Sequence, residues 1–191
     1  MNLVINLHEF SGERVLAGAM DGAAASLKLI GRLERQHQTT LLFLDFSGID
    51  VATASFLREF LFPVRDWCRG NKTNLYPVIA NASAKIRDEL VILLGALNEA
   101  LVICDYSDGS HSNPRILGQL EEKQRETLKI LNKVRISDAP TLARDFKQHA
   151  ANPTAWNNRL SALAAKGILI ASESGRIKRY QCVLEGLNCG Q

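Results

Sequence analysis

Residues 152–169 read NPTAWNNRLSALAAKGIL, and this stretch decides how the second half of the chain is organised. Trp156, Leu160 and Leu163 recur at the three-to-four spacing of one helix face, while Thr154, Asn157, Asn158 and Ser161 fall on other faces. The pattern predicts a helix buried on one side and made of hydrogen-bonding groups on the other. An Asn carboxamide can pair bidentately with an adenine edge in the major groove, and Ser or Thr hydroxyls reach bases or phosphates, so the polar side suits nucleic acid. Arg159 is available for phosphate. Trp156, at the same spacing as the leucines, is expected in the core rather than stacked on a base. After Lys166-Gly167, residues 168–171 and 177–183 read as strands around Ser172-Glu173-Ser174-Gly175, a turn sequence that would close a hairpin. Arg176, Lys178 and Arg179 surround Ile177 there, beside Tyr180. Strand alternation sends Arg176 and Lys178 to one face, where they could straddle a phosphate backbone; a merely solvated hairpin is the alternative.

The upstream residues extend the pattern. Residues 119–133 place Leu120, Thr127, Leu128, Ile130 and Leu131 largely on one side of a helix. Ser137-Asp138 offers an N-cap, and Pro140 sits acceptably in the first turn of a second helix over residues 139–149, with Leu142, Ala143 and Phe146 as its core face. From Gln119 onward, the order EKQRETLKIL, a short second helix, then NNRLSALAAKGIL and a basic hairpin resembles the winged helix-turn-helix domains of bacterial transcription regulators. The resemblance covers about seventy residues, here 119–186, leaving 187–191 as a tail. It implies double-stranded DNA as partner, although some winged helices bind protein.

Charge supports the first option. Residues 1–115 carry 11 Lys and Arg against 13 Asp and Glu, whereas residues 116–191 carry 12 against 7. The formal net charge of +3 is therefore a property of the C-terminal part, and such asymmetry raises phosphate affinity without specifying sequence. At 191 residues, 46% hydrophobic and 23% charged, the chain can bury two modest cores. Residues 107–118, beginning SDGSHSNPR, break every period and read as a linker. The first ten residues lack a basic start before an apolar run, and no apolar run approaches membrane-spanning length, so a soluble cytoplasmic protein without a membrane partner is expected. Cys68, Cys104, Cys182 and Cys189 form no CxxC pair and no metal-ligand spacing, which suits reduced thiols.

Residues 1–106 alternate strands with amphipathic helices: strand 3–7, helix 21–36, strand 40–46, helix 55–69, strand 74–80, helix 83–98 and strand 100–104. That rhythm predicts an α/β domain with a largely parallel sheet covered by helices. Phe56, Phe60, Val64 and Trp67 mark the core face of the middle helix, which Pro63 is expected to kink or divide. Residues 44–57, LDFSGIDVATASFL, resemble the strand-loop-helix of the STAS superfamily of sulfate transporters and anti-sigma factor antagonists. They are similar above all to a STAS-like family with a DF.G...TASF type of motif. In the antagonists a pattern like LDLSGVxxIDSSGL carries a serine that a partner kinase phosphorylates. On it Leu44, Asp45, Ser47, Gly48 and Leu57 match, and Ser55 falls on that serine; Thr53 replaces the preceding aspartate, Ala54 the first serine and Phe56 the following glycine. The resemblance implies a protein partner, a serine kinase or ATPase among the candidates. Phosphate on Ser55 would meet free amides at a helix start, while simple capping by Ser55 or Thr53 is the plainer alternative.

Enzymatic signatures are not evident. Asp45 and Asp50 have no His, Lys or nucleophile spaced with them; His8, His37, His111 and His149 are scattered; Gly12, Gly18, Gly22 and Gly31 give no phosphate-binding or dinucleotide spacing. No cofactor or metal is expected. The sequence thus leads to a bacterial or phage-type DNA-binding regulator: a STAS-like α/β domain that senses or docks a protein, followed by a winged helix-turn-helix. The alternative is a partner-switching scaffold whose winged helix binds protein and whose STAS-like domain engages a serine kinase or ATPase. A homodimer is compatible with either.

Overall fold

The structure, a computed structural model, describes residues 1–175 and 177–188. The chain is a mixed α/β protein that divides into two compact units, Met1–Gln119 and Leu120–Gln191. No helix among the described residues is long and apolar enough to cross a membrane.

The N-terminal unit runs β1 (Asn2–Asn6), α1 (Leu7–Ser11), β2 (Val15–Leu16), α2 (Ala19–Ile30), β3 (Thr40–Asp45), β4 (Val51–Ala52), α3 (Ala54–Gly70), β5 (Leu75–Ala80), α4 (Ala84–Leu97), β6 (Ala100–Ser107) and β7 (Ser110–Gly118). Five strands form one sheet in the order β1-β3-β5-β6-β7, parallel except for the last pair. Leu42, Leu44, Ile79 and Ile103 of the strands share one buried cluster with Leu29 of α2, Leu57 and Val64 of α3, and Leu90 and Leu94 of α4. The three long helices therefore lie on one face of the sheet. Alternation is lost in the run TLLFLD of β3 because Phe43, on the face away from those helices, is buried as well, its ring 4.3 Å from that of Tyr106 in β6. A separate two-residue parallel ladder joins β2 to β4 and carries the chain into α3.

Residues 107–118 are no linker: Ser110–Gly118 is the edge strand β7, and the unit boundary falls after Gln119. Asp108 and Gly109, at φ 50° and 77°, form a two-residue turn of the type that matches strand twist, so Ser107 pairs with Ser110. A register shift between Ile103 and Asp105, with Asn113 at φ 51°, accommodates the remaining breakers, and Pro114 is tolerated because the strand is an edge. Nor does Pro63 divide its helix. Helix α3 is continuous from Ala54 to Gly70, because Phe60, Leu61, Val64 and Cys68 on both sides of the proline are buried in one core whose packing outweighs a lost backbone hydrogen bond. The expected helix 21–36 begins at Ala19 and stops at Ile30, while the remaining expected elements of this unit survive with shifted ends.

The C-terminal unit runs α5 (Glu122–Val134), β8 (Ile136–Ser137), α6 (Ala139–Asp145), α7 (Pro153–Ala165), β9 (Leu169–Ser174) and β10 (Ile177–Cys182), with an antiparallel sheet in the order β8-β10-β9. Gln124 accepts from the Glu121 N–H at 3.2 Å, the Asp138 carboxylate from Thr141 N–H at 2.8 Å, and Asn152 from Thr154 N–H at 2.8 Å, so each of the three helices starts at a side-chain cap. Residues 172–174 belong to β9 rather than to the turn, because pairing continues to Ser174 opposite Ile177. Helix α6 ends four residues short of His149, at Asp145.

Two predictions follow from the N-terminal core. A methyl group on Gly22 would sit 2.5 Å from the Phe56 carbonyl oxygen, so α2 and α3 meet there backbone to backbone. Gly22→Ala is expected to lower stability by about 1–3 kcal/mol in urea unfolding, although Ala is the better helix former by about 1 kcal/mol. Burial pushes the Cys68 thiol up to about 12, against a lesser opposing effect of its hydrogen bond with Thr73. Cys68 should therefore resist iodoacetamide at pH 8 in the folded protein and react fully in denaturant.

Candidate nucleic-acid interface

Helix α7 is placed by its buried side. Trp156, Leu160 and Leu163 are fully buried, as the sequence periodicity requires, and the Trp156 indole donates to the Ala150 carbonyl at 2.8 Å. That bond fixes the segment between α6 and α7 against α7 itself. Arg159 does the same from the next turn: it donates to the His149 carbonyl at 3.3 Å, and its guanidinium lies 5.2 Å from the centre of the Trp156 ring. The His149 ring in turn lies 3.4 Å from the Glu126 carboxylate of α5.

With the core side fixed, the opposite stripe of α7 presents Thr154, Asn157 and Asn158 to solvent, and Ser161 half-exposed at its C-terminal end. These four positions are spaced as i, i+3, i+4 and i+7 and so form one face. Ser161 is joined to the hairpin, its hydroxyl 3.3 Å from that of Tyr180 in β10. Tyr180 is buried, and Lys178, two residues earlier on the same strand face, holds its ammonium 5.8 Å from the Tyr180 ring centre. Tyr180 thus links the end of the polar stripe to the strand that carries Lys178. Lys178 stands directly opposite Glu173 across the hairpin, which tempers its charge.

The other candidates divide. Arg159 is not free for phosphate: Nη2 serves His149, and Nη1 is buried without a hydrogen-bond partner. Its role is to position α7. Arg179 is exposed, but alternation turns it to the sheet face away from Lys178 and Tyr180. Arg176 lies outside the described residues, as does Cys189. Tyr180 was not among the sequence candidates, although its two-residue spacing from Lys178 could have pointed to it.

In the N-terminal unit Thr53 is the cap of α3, accepting from Phe56 N–H at 3.4 Å and from Gly18 N–H at 3.3 Å. Ser55 is half-buried at the second helical position, its hydroxyl 3.1 Å from that of Thr53. The helix start does not offer a full set of free amides, because the Glu89 carboxylate of α4 accepts from Ala54 N–H at 3.1 Å. No sequence signal announces Glu89, whose arrival depends on the packing of α4 beside α3. Asp45 and Asp50 do not form a pair. Asp45 accepts from Asn6, from Ser47 N–H and from Asn81, which also receives Tyr106 N–H, and so ties the ends of β1, β3, β5 and β6. Asp50 takes a bidentate bond from Arg14, at 2.8 and 2.9 Å, which holds its carboxyl below the usual range.

Comparison with protein-family models and with curated proteins found no match for this chain. The geometry at the start of α3 yields its own test. Thr53→Ala should cost about 1 kcal/mol, because two backbone N–H groups lose their acceptor, and Ser55→Ala distinctly less. Urea midpoints of the two variants compare them directly.

Proposed function

We propose that this chain is a DNA-binding transcriptional regulator, with a winged helix-turn-helix in its C-terminal unit and a STAS-like module in its N-terminal unit that docks a protein partner. The observation that carries the reading is the stripe Thr154, Asn157, Asn158 and Ser161 on the outer side of α7, linked through Tyr180 to the strand that carries Lys178. A helix with its apolar side fully committed to the core and a carboxamide pair outward has the form of a major-groove reader, and the hairpin beside it supplies a phosphate contact. The surplus of five positive charges in the same unit favours duplex over an average protein surface. The order of elements, three capped helices with a short strand between the first two and a terminal hairpin, supports the winged-helix assignment.

For the N-terminal module, the support is the mostly parallel sheet with helices on one face and the strand-loop-helix over residues 44–57. A phosphate on Ser55 would add about two negative charges beside the Glu89 carboxylate. On this reading the modification acts chiefly by displacing Glu89, and with it the start of α4 relative to α3, and so changes the surface offered to a partner.

The experiment is a salt titration of duplex binding by the full chain. Affinity for random duplex should fall steeply and linearly in log-log form; near-zero affinity at low salt would reject the DNA reading in favour of a protein-binding winged helix. Lys178→Ala should reduce the slope by about 1, and an unchanged slope would remove the hairpin from the interface. Asn157→Ala and Asn158→Ala should each weaken a selected binding site by about 1–3 kcal/mol per lost base contact and leave random duplex nearly unaffected. Equal losses on all sequences would reject base readout.

A further inference from the structure

Helix α2 packs Gly22, Ser26 and Leu29 into its unit and holds Met20, Ala24 and Leu27 outward along one line. Met20 is 87% exposed and Leu27 71%, among the most exposed large apolar side chains of the described residues. Two large apolar groups two turns apart on a solvent face, with the methyl of Ala24 on the turn between them, form a surface that gains free energy when it is covered.

The charges beside that line say what covers it. Asp21 and Lys28 are both exposed, stand seven residues apart and therefore occupy the same flank of the helix, acid towards its start and base towards its end. Lys28 is held in place by a 3.2 Å bond to the Phe10 carbonyl and by the Phe10 ring, 4.8 Å from its ammonium. A helix marked in this way is its own complement when reversed. We propose that α2 is the interface of a homodimer, in which two copies of this chain pack α2 against α2 antiparallel about a twofold axis passing beside Ala24. Reversal about that axis sets Asp21 opposite Lys28 of the partner subunit and, by symmetry, Lys28 opposite Asp21 of the partner subunit. It also lays Met20 against Leu27 of the partner subunit, and the small Ala24 at the centre lets the helix axes approach closely. Flanking opposite charges of this kind fix register and direction in paired helices.

Helix α4 supplies the contrast. It too exposes apolar groups, Val91 and Ile92, yet its exposed charges, Lys85 and Asp88, both lie in its first half and its last turn carries no basic residue. A reversed copy of α4 centred on Val91 and Ile92 would set Lys85 and Asp88 opposite the uncharged Asn98 and Gly95, so its apolar face does not encode self-pairing.

The proposal does not depend on the DNA reading, because association is measured without nucleic acid. Sedimentation velocity of the full chain over a micromolar concentration series should show a monomer-dimer equilibrium. Leu27→Glu, at an exposed position that leaves the fold intact by thermal melting, should raise the dissociation constant about ten-fold or more. Asp21→Lys and Lys28→Asp should each weaken self-association, since like charges then meet at both ends. An equimolar mixture of those two variants should associate again, because opposite charges face each other at both ends of the mixed dimer. Both substitutions placed in one chain should restore self-association, which controls for any local effect of losing the Lys28 bond to Phe10. A wild-type chain that stays monomeric across the series overturns the proposal. So does a dimer indifferent to Leu27→Glu, or a mixture that behaves as two unpaired variants.

Discussion

The C-terminal unit depends on one indole. Trp156 is fully buried, donates to Ala150 and carries the Arg159 guanidinium on its ring, so a single side chain holds the core face of α7, the preceding loop and the next turn of the same helix. Helix α7 is only 13 residues long and has little side-chain support at its start beyond Asn152. Isolated helices of that length are marginal in water, so its orientation has to come from packing. The consequence reaches the outer surface. Because the indole and Arg159 fix the roll of α7 about its own axis, Asn157 and Asn158 are presented together on its exposed side.

The elements that the sequence made legible are those whose periodicity records burial. The stripe of Trp156, Leu160 and Leu163, the apolar run of β3 and the face of α3 that carries Phe56, Phe60 and Val64 all record the core, and each of these elements lies where the pattern places it. What escaped reading is set by pairing and packing that override local preference. Strand β7 looked like a linker because Asn113, Pro114 and Gly118 break local preference, whereas its existence rests on ten residues of β6 and turn beside it. The Asp108-Gly109 pair did carry a hairpin signal, obscured by the serines around it. Arg159 misled for a related reason: helix spacing puts it at the margin of the polar side, and only the course of residues 146–152 shows that its nitrogens turn inward. Glu89 at the start of α3 was invisible for the same cause, since 35 residues separate it from Ala54.

The N-terminal unit joins its sheet at two levels. Below, the apolar residues of one face meet the three long helices, with Gly22 permitting the closest approach. At the strand ends Asp45, Asn6 and Asn81 exchange hydrogen bonds, so four strands are tied where a parallel sheet would otherwise leave polar backbone and side chains to solvent. Asn81, at φ 55°, adopts a left-handed backbone that asparagine tolerates better than most side chains. Asp45 thus serves as a clasp at the strand ends, while Asp50 is held separately by Arg14.

The interrupted edge of the sheet has a consequence for solubility. A free sheet edge is a template on which another extended chain can add, and runs of such additions lead to fibrillar aggregation. Strand β7 offers a poor template: Pro114 has no N–H to donate, Asn113 turns left-handed, and the register slips between Ile103 and Asp105. An incoming strand could not keep pairing for more than a few residues. The very residues that disguise β7 as irregular chain therefore cap the growth of the sheet, and an apolar parallel core is kept from recruiting further strands along that side.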